Sequence, residues 1–275
     1  MKPAPFAYSA ARSREAAVEA LADADPPRIL AGGQSLVPML NLRLAPADAV
    51  LDITRIPELR AIEVGQSSIR YGPLTTHAAF EDGIVPDGSN GLMRHVASHI
   101  AYRAVRCRGT IGGALALADP AADWLTTVIA LEGTVHIVSK TGRRSVPAHE
   151  FALGAYLTSL TDGELIESIE IPKRPPTERW GYYKVVVKVG EYAESMALTL
   201  WDPSRAFARV VLGALDGVPL VLGATATAIR RGLSERELLD EVRRELIASG
   251  RDFSPAQLIL HSTTAVRSIK DAASK

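Results

Sequence analysis

Apolar positions recur along this chain in short runs with two different periods. Residues 12–24 are rich in Ala and Glu, and Ala17, Leu21 and Ala24 return at helical spacing. That pattern predicts a first helix, ended by Pro26-Pro27. Arg28-Ile29-Leu30 reads as a short strand running into Ala31-Gly32-Gly33-Gln34-Ser35, and 36–44 as a short helix closed before Pro46. Apolar runs at 50–53 and 68–71 predict strands, 89–100 a helix, 110–117 a loop followed by an apolar run, and 124–131 another helix. Segments 134–138 and 143–146 flank Thr141-Gly142, a hairpin signal. Residues 165–171 alternate as a half-buried strand does.

Lys173-Arg174-Pro175-Pro176 has the composition of a linker, and the pattern changes beyond it. Strands are expected at 180–189, 197–201 and 208–215, with a turn at Asp202-Pro203-Ser204. Helices are expected at 224–231, 235–249 and 255–270. Strands followed by helices describe an α+β unit. The expected layout is a larger mixed N-terminal region, a boundary near 172–178, and a smaller α+β domain.

Composition narrows the functional classes. The 275 residues are 47% hydrophobic and 23% charged, with zero formal net charge. No Lys/Arg block exceeds a pair, which argues against a nucleic-acid partner. No apolar stretch approaches the roughly 18 residues of a spanning helix, and the first residues lack the apolar core of a signal peptide. The single cysteine, Cys107, permits no intrachain disulfide, which suits a reducing cytoplasm. Nor does it allow this chain to hold an iron–sulfur cluster or a structural zinc alone, so any electron handling here requires an organic cofactor. His95 and His99 stand at i and i+4 on a helix, but no third ligand is visible and no metal site is assigned.

Two segments carry candidate chemistry. Ala31-Gly32-Gly33-Gln34-Ser35 lies between a strand and a helix start, where glycines let backbone N–H groups approach an anion and Ser35 adds a hydroxyl donor. Thr110-Ile111-Gly112-Gly113-Ala114 repeats the arrangement, with Thr110 as the hydroxyl. Two such nests suit a diphosphate. Neither loop is a P-loop or a G-x-G-x-x-G fingerprint. Residue types alone leave each open as structural punctuation or as a phosphate cradle.

The wording of these loops goes further. LAGGQSLVPMLNLRL, followed by VLDITRIPEL, resembles the first FAD loop of the flavin-binding medium subunit of molybdenum hydroxylases, the family of aerobic carbon monoxide dehydrogenase and xanthine dehydrogenase. RAVRCRGTIGGALALADPAADW resembles that family's second FAD segment, and Gly72-Pro73-Leu74-Thr75-Thr76-His77 lies between them as its G-x-x-T-T/x-H segment does. The resemblance spans roughly residues 5–215. It implies an α+β fold: a vanillyl-alcohol-oxidase/p-cresol-methylhydroxylase-type FAD domain over 1–173, in two subdomains of about 1–56 and 57–173, then a flavoprotein domain over 177–275.

The resemblance also assigns roles. Ala31, Gly32, Gly33, Gln34, Ser35 and Leu36, with Thr110, Ile111, Gly112, Gly113 and Ala114, are expected at the FAD, the glycines at its pyrophosphate. Thr75, Thr76, His77, Asp119 and Leu160 are expected beside it, and Asp123 is expected to hydrogen-bond its ribityl chain or a nearby flavin group. The stretch from Tyr183 to Tyr192 (YKVVVKVGEY) resembles the family's F/Y-x-K-x-x-x-R-x-G-D-Y segment, with Lys188 for Arg and Glu191 for Asp. Lys184 then places a cation near the flavin N1/C2 carbonyl region, and Tyr192 lies by the isoalloxazine ring. Ala114 replaces the usual Asn or Ser after Gly-Gly, and the C-terminal helices lack the family's D-x-R-x-S-x-x-Y-R-R-x-L stretch.

What the resemblance implies is a cytoplasmic oxidoreductase subunit. Its FAD takes electrons from the iron–sulfur subunit of a complex that also contains a molybdopterin subunit, and hands them to an acceptor. Two other classes fit the residues less fully: a stand-alone FAD-dependent oxidase or dehydrogenase, and a non-catalytic assembly module with a vestigial FAD site.

Overall fold

The computed structural model describes residues 2–275 and contains three principal sheets. The first is parallel and three-stranded, with Ala49–Asp52 between Ala7–Ala10 and Arg28–Leu30. The helix Arg14–Leu21, capped by the Ser13 hydroxyl, packs Ala17, Val18 and Leu21 with Leu51, Ile53, Ile56 and Leu59. The strand Ala7–Ala10 was not anticipated. Its residues are largely exposed and carry no alternating pattern, so only its pairing with Ala49–Asp52 defines it.

The second sheet is antiparallel and five-stranded, in the order Ile62–Val64, Ser68–Tyr71, Leu165–Pro172, Thr134–Ser139, Gly142–Pro147. Its buried face, with Ile69, Tyr71, Val135, Ile137, Ile169 and Ile171, supports the helices that carry the candidate site. The third sheet is antiparallel, in the order Arg179–Val185, Ser195–Asp202, Phe207–Gly213, Leu220–Val221. Ala197, Val210 and Leu212 on one of its faces pack with the helices Gly223–Arg230, Glu235–Ala248 and Pro255–Ala273. Gly181 is glycine for a close approach: a Cβ there would lie 1.9 Å from the Ser268 carbonyl oxygen.

Helix Asp123–Ala130 joins the two larger sheets, and every one of its residues is buried. Trp124, Leu125, Val128 and Ile129 share one apolar cluster with the second sheet and with Leu198, Leu200 and Val211 of the third. A helix buried on all sides belongs in such a position. Removing the Trp124 side chain should cost about 3–5 kcal/mol. No helix among the described residues is long and apolar enough to cross a membrane.

Three expected elements changed. The run at 110–117 is a helix from Ile111 to Leu117 starting directly at Thr110, because Thr110 caps it in place of a longer loop. The helix expected over 89–100 is only Leu92–Ser98, since Asn90 and Gly91 both take positive φ. The strand expected over 180–189 ends at Val185, where its partner strand ends at Ser195. Val187 and Val189 then stand in solvent. A short helix over His77–Glu81, capped by Thr76, was not foreseen.

Candidate functional site

The two glycine segments lie side by side. A Cβ on Gly32 would sit 2.2 Å from the Arg108 carbonyl oxygen, and a Cβ on Gly113 would come within 3.9 Å of the Ala31 Cβ. The segment Gly72-Pro73-Leu74-Thr75-Thr76-His77 is laced to the second loop by bonds from Ile111 N–H to the Thr75 carbonyl, from His77 N–H to the Gly109 carbonyl and from Gly112 N–H to the Pro73 carbonyl. Three stretches, each about 40 residues from the next in sequence, thus form one surface.

Their hydrogen bonding differs. In the first loop the N–H groups of Gly32, Gly33, Gln34, Ser35 and Leu36 have no acceptor among the described residues. Gly33 is left-handed (φ +73°), and the Ser35 hydroxyl caps nothing. The Gln34 side chain folds back to the Gly32 carbonyl. Successive unpaired N–H groups around a left-handed residue form an anion nest. In the second loop the Thr110 hydroxyl accepts from Gly113 N–H at 3.1 Å, and the N–H groups of Ile111, Gly112 and Ala114 are bonded to carbonyls. Gly112 is glycine because a Cβ would lie 2.3 Å from the Pro73 Cβ.

The expected flanking residues are committed inside the protein. The Thr75 hydroxyl donates to the Gly72 carbonyl at 2.7 Å. Thr76 caps the helix behind it. His77 is buried, and its Nδ1 accepts from the Trp124 indole at 2.9 Å. Burial first, then the Arg106 guanidinium, lowers its pKa to about 4, so near neutral pH it is the uncharged tautomer with hydrogen on Nε2. The ring fills the place of a Gly109 side chain, since a Cβ there would lie 2.6 Å from Nε2. It therefore backs the second loop. Leu160 packs against the main core.

The ADPAAD stretch contributes two carboxylates with different partners. Asp119 accepts from Ala121 N–H at 2.9 Å and from the Tyr156 hydroxyl at 3.2 Å. Asp123, at the start of the buried helix, is held by the Lys184 ammonium at 2.8 and 3.0 Å and by the Tyr182 hydroxyl. Burial, then the Asp123 carboxylate, pushes the Tyr182 phenol well up, so it stays a donor. Lys184 is 8% exposed and Asp123 5%, so this ion pair is desolvated. Tyr192 keeps its ring in solvent, yet burial near its hydroxyl and the Asp119 and Asp123 carboxylates raise its pKa, while the neighbouring Ser35 hydroxyl lowers it.

Tyr182 was missed from sequence. Its signal is spacing: two residues before Lys184 on a strand, it shares that lysine's face. His95 and His99 stack on each other at 4.4 Å and on Trp180 and Tyr182, which places both imidazoles in an aromatic wall beside the pair. Cys107 is exposed between two arginines.

Residues 4–174 match the family described as the FAD binding domain in molybdopterin dehydrogenase. The chain belongs to this family. The carbon monoxide dehydrogenase medium chain of Hydrogenophaga pseudoflava is 37% identical over 258 residues, covering 93% of this chain and 88% of that protein. The nicotine 6-hydroxylase medium subunit of Paenarthrobacter nicotinovorans is 34% identical over 220 residues, covering 79% and 77%. Among solved structures, carbon monoxide dehydrogenase from Hydrogenophaga pseudoflava superposes with a TM-score of 0.92 at 29% identity, over 100% of this chain and 99% of that one. Quinoline 2-oxidoreductase from Pseudomonas putida 86 gives 0.88 at 31%, with the same coverage.

The chain is thus an FAD-binding oxidoreductase subunit with the family's α+β fold. The C-terminal helices, despite lacking the family's usual terminal stretch, lie within the superposed length. The open nest of Gly32 to Leu36 fits the cofactor, because a diphosphate requires several donors without competing acceptors.

Proposed function

We propose that this chain is the flavin-bearing medium subunit of a molybdopterin dehydrogenase complex in the cytoplasm. Electrons from the iron–sulfur subunit of that complex would pass through its FAD to an acceptor, while the molybdopterin subunit oxidises the substrate. The unpaired N–H groups of Gly32 to Leu36 carry the reading. They are an anion site that the chain itself leaves open, in a segment that resembles the family's first FAD loop and lies within the matched residues. The single cysteine supports it too, since cluster ligands must come from another chain.

When bound, FAD supplies the redox chemistry, and the protein supplies binding, orientation and electrostatics. The first loop and Ser35 hold the pyrophosphate. The second loop, with Gly112 and Gly113, gives the cradle its shape and its close approach to Ala31. Asp119, Asp123, Lys184 and Tyr192 line the side facing the third sheet. The natural division is an FAD-binding domain over 1–173, in two parts of about 1–56 and 57–173, and a flavoprotein domain over 177–275. Buried Asp123 and Lys184 fasten one to the other.

Purification under native conditions tests this. The chain is expected to carry a yellow flavin chromophore and to bring down iron–sulfur and molybdopterin chains from its host. A colourless chain that takes up no FAD on reconstitution would overturn the reading.

A further inference from the structure

The buried pair Asp123–Lys184 has a third member with no role so far. Tyr182 and Lys184 occupy alternate positions of the strand Arg179–Val185 and so present both polar ends to the start of helix Asp123–Ala130. Both reach the same oxygen, Asp123 Oδ1; Lys184 also reaches Oδ2 at 3.0 Å. The Lys184 ammonium has a further contact, the His99 carbonyl at 3.4 Å. A desolvated carboxylate is costly unless its lone pairs are used, and a buried ion pair persists only with such added bonds. The Tyr182 ring is itself fixed, edge-on to His95 and tilted against His99.

We propose that Tyr182 is a positioning residue for the flavin site. Its hydroxyl withdraws part of the Asp123 charge and fixes the carboxylate, and so sets how much of the Lys184 charge remains uncompensated beside the cofactor. Trp124, the residue after Asp123, donates its indole N–H to His77 at 2.9 Å, and that imidazole backs Gly109 beside the second glycine loop, so the triad adjoins the cradle. The inference rests on the FAD reading of that cradle. Tyr182 adjusts the charge balance through Asp123 and touches no reacting atom.

Two substitutions move the flavin midpoint potential in opposite directions. Tyr182→Phe keeps the ring and removes one donor, so Asp123 presents more negative charge and reduction becomes harder. The midpoint should fall by a roughly tenfold change in the oxidised-to-reduced ratio, about 30 mV for a two-electron couple. Asp123→Asn leaves the Lys184 charge uncompensated and should raise the midpoint by at least as much. In the Asp123→Asn background, adding Tyr182→Phe should shift it no further, the sign of a shared carboxylate.

The measurement is a spectroscopic redox titration of the full chain with FAD bound, beside the thermal midpoint of each variant. A Tyr182→Phe chain that holds FAD at the parent potential, with only its thermal midpoint lowered, would overturn the proposal and leave the FAD reading standing. A parent chain that binds no FAD would overturn both. If Tyr182→Phe does not fold, Asp123→Asn still decides, since an unchanged midpoint there removes the carboxylate through which Tyr182 acts.

Discussion

In the loop Ala31-Gly32-Gly33-Gln34-Ser35 the N–H groups of Gly32 to Ser35 have no acceptor among the described residues, whereas in Thr110-Ile111-Gly112-Gly113-Ala114 those from Ile111 to Ala114 are all taken. Both segments are a hydroxyl residue, a glycine pair and a helix start, and both read from sequence as the same anion nest. We propose the first as the anion site because its donors are left open. In the second the glycines answer to Pro73 and to the Thr110 cap. Glycine pairs of identical spelling can therefore carry binding in one place and packing in another, and only the destination of each N–H separates them.

The sharpest way to break this comparison is Gly32→Ala. Its Cβ would meet main chain at Arg108, which cannot swing aside as a side chain does. Overpacking of this kind costs about 1–3 kcal/mol in stability. It also parts the two loops, so FAD affinity in a fluorescence titration should fall at least about a hundredfold, roughly 2.7 kcal/mol. Next comes the backing of the second loop. Because His77 falls from 6.5 to about 4 on folding, its contribution is complete above pH 6.5 and is lost as pH falls toward 4. The expected loss is on the order of 3 kcal/mol. Urea melts of parent and His77→Gln between pH 7 and 4 should show the smaller pH dependence in the variant.

Gly112→Ala sharpens the contrast from the other side. Contact with Pro73 should lower stability by about 2 kcal/mol, while the FAD affinity of the folded fraction changes less than about threefold, since its N–H already serves Pro73. Ser35→Ala has the smallest effect. A hydroxyl that caps nothing costs no stability when removed, but losing one hydrogen bond to the cofactor should weaken FAD about five- to tenfold. Calorimetry of the cofactor-free chain and an FAD titration check the two halves of that statement.

Much of this arrangement was legible in the sequence. The strand, glycine loop and helix around Gly32 follow from period and punctuation, and the Thr110 loop from its wording. The capped C-terminal helices were also readable, because Ser234 and Ser254 begin complete capping boxes. What stayed hidden depends on contacts far apart in the chain. Lys184 reads from sequence as a cation for the flavin, but its partner emerges only when helix Asp123–Ala130 brings a carboxylate 61 positions away to 2.8 Å. Tyr182 gains its role from the same encounter. The valines at 187 and 189 have strand propensity but no partner strand, and propensity without pairing does not make a sheet. The burial of Gly112 on Pro73 is likewise invisible in a Gly-Gly pair.

Hydrogen–deuterium exchange of the full chain, with and without FAD, tests the contrast between the loops most directly. Without FAD, amides 32–36 should exchange rapidly and 111–114 slowly; FAD should protect 32–36 strongly and change 111–114 little. Amides 32–36 that are already protected, or that gain no protection from FAD, would contradict the account.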